Sequence, residues 1–166
     1  MSKEQIEFAD FFEASWSPCL RAVTAVVGSS QLAEDQVAEA FTRAFASWRK
    51  VRTHPAPQAW VVRTALNAGV SWLHRRRREL PLGDHDVGVS GDLGADDSSA
   101  ILTALRRLPT RQREVIALRV ILDLDTETIA SQLGIAPATV RVHLARAVAA
   151  LRDQFVPDAT NKELNQ

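Results

Sequence analysis

Residues 108–151 read LPTRQREVIALRVILDLDTETIASQLGIAPATVRVHLARAVAAL, and this segment is the most informative part of the sequence about the fold. Its apolar residues recur at helical spacing, and residues that typically begin or end helices lie between the apolar runs. Asp125 is a suitable cap for a short helix, Thr126–Leu133. Gly134 supplies the left-handed residue that ends this helix, and Pro137 suits the first turn of a longer one. The pattern predicts a helix-turn-helix.

The longer helix is expected to have two faces. Five apolar residues form one stripe: Val140, Leu144, Ala147, Val148 and Leu151. Five others lie on or beside the opposite face and are expected to enter a DNA major groove: Thr139, Arg141, Val142, His143 and Arg146. Ahead of the motif, Thr110 is expected to cap another helix. Short helices around a glycine turn also occur in helical proteins that bind no DNA, so both interpretations stay open at this point.

The net charge of zero conceals an uneven distribution. Residues 1–80 hold 11 Lys and Arg against 8 Asp and Glu, residues 81–97 hold none against 5, and residues 98–166 hold 9 against 7. Such asymmetry suggests nucleic-acid contact. The middle segment combines its five Asp with four Gly, so it reads as a flexible linker. We therefore predict two small helical domains, residues 1–80 and 98–156, followed by a disordered tail at residues 157–166.

Other classes of protein leave no signature in this sequence. The histidines His54, His74, His85 and His143 lie far apart without metal-ligand spacing, and no nucleophile motif or phosphate-binding glycine loop occurs. We expect no catalytic residue, no metal and no cofactor, and hence no enzyme. The lone Cys19 lies in an apolar stripe and is expected to be a buried thiol. With no long apolar run and no signal peptide, the chain is expected in the cytoplasm without membrane insertion.

The first domain is predicted to be all-α, with three helices. The first helix ends at Gly28 and carries an apolar stripe: Phe8, Phe12, Trp16 and Leu20. The second begins at a serine cap, Ser29 or Ser30, and four of its residues are expected to face inward: Val37, Phe41, Phe45 and Trp48. The third begins near Pro57 and ends in four arginines: Arg75, Arg76, Arg77 and Arg78. That run is either a solvated helix end or a set of phosphate contacts.

Two stretches of this domain carry a family resemblance. Residues 32–45 read LAEDQVAEAFTRAF, and residues 59–79 read AWVVRTALNAGVSWLHRRRRE. Both resemble region 2 of the bacterial extracytoplasmic-function sigma factors, and residues 108–151 resemble their region 4. The similarity extends from about Phe8 to Phe155. The order, spacing and length of the segments all agree, and the pair of regions is more specific than either one alone.

The resemblance implies a dissociable subunit that gives RNA polymerase its promoter specificity. Core RNA polymerase is then the main partner, contacted through the clamp helices of its beta-prime subunit and through its beta flap. The residues implied for this contact are Glu34, Asp35, Gln36, Glu39 and Arg43. The linker of such a factor threads through the polymerase active-site cleft, and an anti-sigma factor is a common further partner.

Promoter DNA is the second implied partner. In the family, region 2 captures an unstacked base of the minus-ten element, and the matching residues are His54, Trp60, Arg63, Asn67, Arg75, Arg76, Arg77 and Arg78. Asn67 is the better candidate for a base contact, because Asn is a poor helix former that needs a reason to lie in mid-helix. Trp60 has the alternative role of a core aromatic, and His54 would shape the rim of the pocket. Region 4 reads the minus-thirty-five element through the five residues already named on its last helix.

The sequence also departs from the family pattern. Ala38 stands where the family usually has Gln, Ser71 where Asp is common, and Ala136 where a serine cap is expected. These changes suggest an altered promoter preference. Two other functions stay open: a helix-turn-helix regulator of the response-regulator type, and a sigma-like interaction protein with weak polymerase affinity. The first would need a receiver domain, whose alternation of strands and helices is absent from the pattern of residues 1–80.

Overall fold

The computed structural model describes residues 1–79 and 100–156, with side chains over residues 1–69 and 100–156. All regular structure in these residues is helical, which confirms the all-α prediction. The predicted linker, the predicted tail and the side chains of residues 71 and 75–78 lie outside the described part. None of the described helices is long and apolar enough to span a bilayer.

The first domain contains four helices: α1 (Lys3–Val27), α2 (Ser30–Ala46), α3 (Trp48–Val51) and α4 (Pro57–Glu79). Local chemistry fixes their ends. Ser2 and Gln5 form a capping box at the start of α1, each side chain accepting from the backbone N–H of the other. Gly28 ends α1 at φ 80°, and the Ser29 hydroxyl accepts from Leu32 N–H at 3.3 Å to cap α2. Both ends agree with the prediction, whereas the single-turn α3 is not foreseen by the sequence pattern.

Aromatic side chains hold α1, α2 and α3 together. The ring centroid of Phe8 lies 4.9 Å from that of Phe45 and 5.3 Å from that of Trp48, while Phe12 and Phe41 are 5.0 Å apart. Tilted and edge-to-face pairs of this kind stabilise a fold beyond the area that they bury. The prediction that Phe45 faces inward is wrong, because its side chain is 51% exposed. It lies at the edge of the buried stripe of α2, where Phe8 covers one side of its ring.

Cys19 is fully buried, as predicted. Its Sγ lies 3.7 Å from the carbonyl oxygen of Gln58, whose side-chain amide donates to the Ser15 hydroxyl at 3.1 Å. These contacts fasten the first turn of α4 to the middle of α1. Burial raises the pKa of the Cys19 thiol to about 12, so the thiol stays protonated at neutral pH.

The second domain contains α5 (Ala100–Arg106), α6 (Thr110–Ile116), α7 (Thr126–Leu133) and α8 (Pro137–Phe155). Helices α7 and α8 form the predicted helix-turn-helix. Asp125 accepts from a backbone N–H three residues on at 2.7 Å, and Gly134 adopts φ 65°. The prediction that Thr110 caps α6 is wrong, because Pro109 occupies the cap position. The Thr110 hydroxyl instead accepts from the Arg113 guanidinium at 3.0 Å.

One turn of π-helix, Ala117–Ile121, extends α6 toward α7. Leu122 N–H donates to the carbonyl five residues back at 3.4 Å, which is the hydrogen-bond pattern of a π turn. Asp123 then adopts φ 52°, a left-handed conformation that Asp tolerates better than most residues. Arg119 donates to the Leu124 carbonyl at 3.0 Å. These contacts set the direction in which the chain enters α7.

The two domains pack against each other. Helix α1 contacts α5, α6 and the π turn, and α4 contacts α7. Apolar residues of both domains, Val23 and Leu105 among them, belong to one continuous core. The sequence predicts two small helical domains joined by a flexible linker, and in the described residues these domains also contact each other. A helical face that is apolar needs a partner, and the face of α1 not used by α2 and α4 finds one in the second domain.

Candidate nucleic-acid and polymerase surfaces

Helix α8 displays most of the side chains predicted to enter a major groove. Val140 is 1% exposed and Ala147 is fully buried, so this side of the helix is fixed against α6 and α7. Four predicted residues on the opposite side are exposed: Thr139, Arg141, Val142 and Arg146. Neither arginine forms an ion pair with another described residue. Helix α8 therefore presents a convex cationic face whose guanidinium groups are available to phosphates and base edges.

His143 differs from its neighbours on α8. Its ring is half-buried, and Nδ1 is enclosed with no hydrogen-bond partner among the described residues. The carboxyl of Glu114, on α6, lies nearby. Burial raises the pKa of Glu114, and the charges of Arg111, Arg113 and His143 partly offset this rise. The structure thus places His143 partly inside the domain, and only the outer edge of its ring can face DNA.

A pocket of about 390 Å³ opens between α2 and α4, and we call it the α2–α4 pocket. Trp60, Thr64 and Asn67 line it from α4, and Arg43 and Ser47 line it from the end of α2. Trp60 is half-buried and Asn67 is exposed. The pocket combines an indole, an amide and a guanidinium, which can stack on a base, pair with its edge and hold its phosphate. Two of the predicted minus-ten residues, Trp60 and Asn67, thus come together.

Helix α2 carries the predicted polymerase contacts, and they occupy different places. Glu34, Asp35 and Glu39 are exposed. The Arg43 guanidinium pairs with Glu39, Nε to Oε1 2.9 Å, and lines the α2–α4 pocket, so it lies beside the candidate DNA contacts. Exposed Phe45 adds an apolar group to this helix surface. The sequence gives only a weak indication that Phe45 is exposed, because this residue lies at the margin of an apolar stripe.

Gln36 is a correction to the predicted polymerase surface. It is 7% exposed, and a Cβ added at Gly69 of α4 would lie 2.5 Å from its amide nitrogen. The absence of a side chain at Gly69 makes room for the Gln36 amide. Gln36 therefore packs α2 against α4 and does not belong to the exposed surface.

His54 and Arg63 lie where the first domain meets the second. His54 Nδ1 accepts from Ala56 N–H at 3.0 Å, and its Nε2 lies 3.4 Å from the side-chain nitrogen of Gln132 in α7. Arg63 and Asn67 line a cleft of about 210 Å³ between α4 and the second domain. The prediction that His54 shapes the rim of the base pocket is therefore replaced: the bond to Ala56 directs its ring toward α7.

The backbone of α4 continues as helix through residues 75–78, the predicted arginine run. Among the residues that the structure describes, no group of His, Cys, Asp and Glu is arranged to hold a metal ion.

Comparison with known proteins relates these surfaces to a family. The sequence profile of sigma-70 region 2 matches residues 17–79, and that of sigma-70 region 4 matches residues 98–151. The RNA polymerase sigma-E factor of Streptomyces coelicolor is 26% identical over 156 residues, which cover 92% of this chain and 88% of that protein. The ECF RNA polymerase sigma factor SigW of Bacillus subtilis is 25% identical over 169 residues, with coverages of 92% and 90%.

A solved structure has the same fold. The sigma factor RpoE of Bartonella quintana, in a complex with the anti-sigma factor NepR, superposes with a TM-score of 0.72 at 21% identity. The match covers 89% of this chain and 96% of that chain.

The two matched regions occur in the family's order and together span more than half of the chain. The two relatives match over most of their own length. A helix-turn-helix regulator of the response-regulator type and a sigma-like interaction protein with weak polymerase affinity are not favoured, because the chain matches both sigma regions and RNA polymerase sigma factors over most of its length. The chain belongs to the sigma-70 family as an extracytoplasmic-function sigma factor, a non-enzymatic subunit that binds core RNA polymerase and promoter DNA and directs promoter-specific transcription initiation.

Proposed function

We propose that this sigma factor reads the minus-thirty-five element with the exposed face of α8 and receives a base of the minus-ten element in the α2–α4 pocket. The observation that carries the proposal is that each of these two surfaces has both the shape and the chemical groups that its DNA target requires. A convex helix whose guanidinium groups form no ion pair with any described residue suits a duplex groove, and a concave pocket with an indole and an amide suits an unstacked base.

On α8, Arg141 and Arg146 supply the charge and Thr139 a hydroxyl. An arginine can bind the two acceptors of guanine in the major groove, while neighbouring polar groups contact phosphates and fix the register of the helix. Val142 is 46% exposed and offers a methyl surface to a thymine. His143 contributes through the outer edge of its ring.

In the α2–α4 pocket, Trp60 offers a face for stacking and Asn67 an amide for the edge of the base. Opening a duplex costs stacking energy, and these contacts would replace what is lost. Arg43 lies at the pocket and can neutralise the nearby phosphate. Arg63 and the arginines Arg75, Arg76, Arg77 and Arg78 are proposed to hold the freed strand.

Polymerase binding is assigned to the exposed surface of α2. Glu34, Asp35 and Glu39 present carboxylates, and Phe45 adds an apolar contact, a combination that suits basic and apolar residues on the clamp helices. Region 4 is proposed to contact the beta flap. The corresponding domain limits are residues 1–80 and 98–156, with residues 81–97 as the linker in the active-site cleft and residues 157–166 as a tail.

The compartment and a further partner complete the proposal. Binding core polymerase places the chain in the cytoplasm. An anti-sigma factor is proposed as a regulator, since the structurally similar RpoE was solved with one.

The test is transcription reconstituted with purified core polymerase. The full chain should direct initiation on some fragments of its genome, and Asn67→Ala should reduce promoter opening, measured as permanganate reactivity of unpaired thymines, while core binding stays unchanged. Ser17→Ala, at an exposed position on α1 outside both proposed DNA surfaces and the α2 surface, is the control and should behave as the native protein. A chain that neither co-purifies with core nor initiates on any fragment would overturn the proposal.

A further inference from the structure

A buried amide between α2 and α4 has no part in the contacts proposed so far. Gln36 is 7% exposed, and its Oε1 is enclosed with no hydrogen-bond partner among the described residues. Burying an amide oxygen without a partner costs free energy, which an apolar side chain at this place would avoid. Its neighbours on the buried side of α2, Ala33, Val37 and Ala40, are apolar and fully buried. A polar residue that interrupts this pattern needs a reason other than stability.

Gly69 on α4 lies directly opposite Gln36. A Cβ added at Gly69 would lie 2.5 Å from Nε2, 2.8 Å from Cδ and 2.9 Å from Oε1 of Gln36. All three atoms belong to the amide group, so the amide itself occupies the space that a side chain at residue 69 would need. Gly69 does not have the positive φ of Gly28 and Gly134, so its backbone conformation does not require glycine. The close approach of the Gln36 amide is what requires it.

This contact lies next to the α2–α4 pocket. Gly69 follows Asn67 by two residues, or about 3 Å along the axis of α4. Gln36 precedes Arg43 by seven residues, or about two helical turns, so both lie on the same side of α2. Asn67 and Arg43 line the pocket. The same two helices therefore form the contact between Gln36 and Gly69 and the pocket, and a change in their spacing at the contact also changes the pocket.

The spacing of α2 and α4 at this contact has little tolerance. Non-bonded heavy atoms pack best at about 3.5–4.0 Å, so a side chain at residue 69 would lie about 1 Å too close to the Gln36 amide. A hydrogen bond from an amide to the edge of a base needs a heavy-atom distance of about 2.7–3.2 Å. That window is narrower than the displacement needed to relieve the clash. A movement of α4 away from α2 would therefore weaken the contact proposed for the Asn67 amide.

We infer that Gln36 and Gly69 are positioning residues for capture of the minus-ten base: their close contact sets the spacing of α2 and α4 and holds the Asn67 amide within hydrogen-bond distance of a base in the α2–α4 pocket. The inference rests on the proposed function of that pocket. It gives a reason for a glycine within a helix and for an unpaired amide facing it, since each of the two lowers stability.

A pair of compensating substitutions tests the inference. Gly69→Ala adds one carbon to the contact, and Gln36→Asn removes one carbon from the opposite side and keeps the amide. In holoenzyme, Gly69→Ala should weaken binding of a single-stranded minus-ten oligonucleotide by about fivefold, and the chain with both substitutions should bind within about twofold of the native protein. Fluorescence anisotropy with a labelled oligonucleotide measures both. Gln36→Asn alone, which relieves the contact, is the matched control and should also stay within about twofold.

Three results would overturn the inference. Native affinity in Gly69→Ala would mean that the Gln36 amide moves aside while α4 stays in place. A doubly substituted chain as weak as Gly69→Ala would show that the two residues do not act through their contact. A loss in Gln36→Asn as large as that in Gly69→Ala would make Gln36 a general support of the fold. The doubly substituted chain decides the question even if Gly69→Ala alone is too unstable for the assay, because it must fold and bind as the native chain does.

A second comparison separates positioning from a general loss of structure. If Gly69 acts through Asn67, Gly69→Ala should weaken binding by less than about twofold in a chain that already carries Asn67→Ala. Gly69→Ala should also reduce the preference among oligonucleotides that differ in one base of the minus-ten element. A merely structural loss would lower the affinity by the same factor in both chains and for every base, and this result would contradict the positioning role.

The two proposals fail in different ways. Oligonucleotide binding that does not change in Asn67→Ala would contradict the proposed function of the α2–α4 pocket. An effect of Asn67→Ala without an effect of Gly69→Ala would contradict only the positioning role of Gln36 and Gly69.

Discussion

The exposed face of α8 and the α2–α4 pocket both serve DNA in our proposal, yet they are built in opposite ways. The first consists of side chains from one helix that project outward, and the second needs two helices that the chain brings together from residues 43–47 and 60–67. The exposed face of α8 exists wherever that one helix is folded. A composite pocket exists only while α2 and α4 keep their packing, so it should respond to changes in the core that leave a helix face intact.

The largest expected effect is a loss of stability on truncating a buried side chain of α7, the helix that packs against α8. Ile129 in α7 is fully buried, and Ile129→Ala should lower the free energy of unfolding by about 2–5 kcal/mol, through lost burial and the cavity left behind. Urea denaturation followed by circular dichroism measures this loss. Ile101→Ala, at a position 49% exposed on α5, should change stability by less than about 1 kcal/mol. Similar losses for both variants would contradict the assigned packing.

Arg141→Ala tests the convex face directly. If Arg141 binds a base edge, discrimination of the minus-thirty-five sequence should fall by about 1–3 kcal/mol. Competition between promoters with single base changes in that element, using holoenzyme, measures the discrimination. Arg152→Ala, near the far end of α8 and also exposed, is the control and should leave discrimination unchanged. A loss of affinity that is equal for every sequence would reassign Arg141 to a phosphate.

Trp60→Ala tests the concave pocket. Loss of a stacking face should weaken binding of a single-stranded minus-ten oligonucleotide to holoenzyme by about 1–3 kcal/mol, and Trp60→Phe should retain most of the affinity. Fluorescence anisotropy with a labelled oligonucleotide measures both. Because Trp60 is half-buried, a denaturation curve for each variant separates stacking from stability. Unchanged oligonucleotide affinity in Trp60→Ala would make this side chain purely structural.

The smallest effect is expected at the cap of α7. Hydrogen bonds from Thr128 lower the pKa of Asp125 below its ordinary value. The folded state thus favours the carboxylate, and this stabilisation is present above the ordinary pKa and is lost as the pH falls through the lowered one. Asp125→Asn keeps an acceptor oxygen without the charge. Its melting temperature should approach that of the native chain as the pH falls from about 7 to about 3. A constant difference across that range would contradict the assigned cause.

The difference between the two proposed DNA surfaces also explains what the sequence could predict. Asp125, Gly134 and Pro137 act within a few residues of where they stand, so the bounds of α7 and α8 follow from local chemistry. The same holds for the exposure of Arg141 and Arg146. Periodicity on one helix is enough to separate its two faces.

The remaining features depend on packing between elements. The position of Gln36 depends on Gly69, and the direction of the His54 ring depends on α7. Phe45 lies near the boundary between the buried and exposed faces of α2, where periodicity does not predict whether a side chain is buried. The interface between the domains has no sequence signature, because an apolar helix face does not state which neighbour covers it.

The π turn before α7 fixes how the following helices are rotated relative to α6. Successive residues of an α-helix differ by about 100° around its axis. Deleting one residue from Ala117–Ile121 would restore regular helix and rotate everything that follows by roughly that angle. The extra residue thus sets the rotation of α7 and α8, and the orientation of the α8 face that we propose to meet a promoter is fixed by residues outside that face.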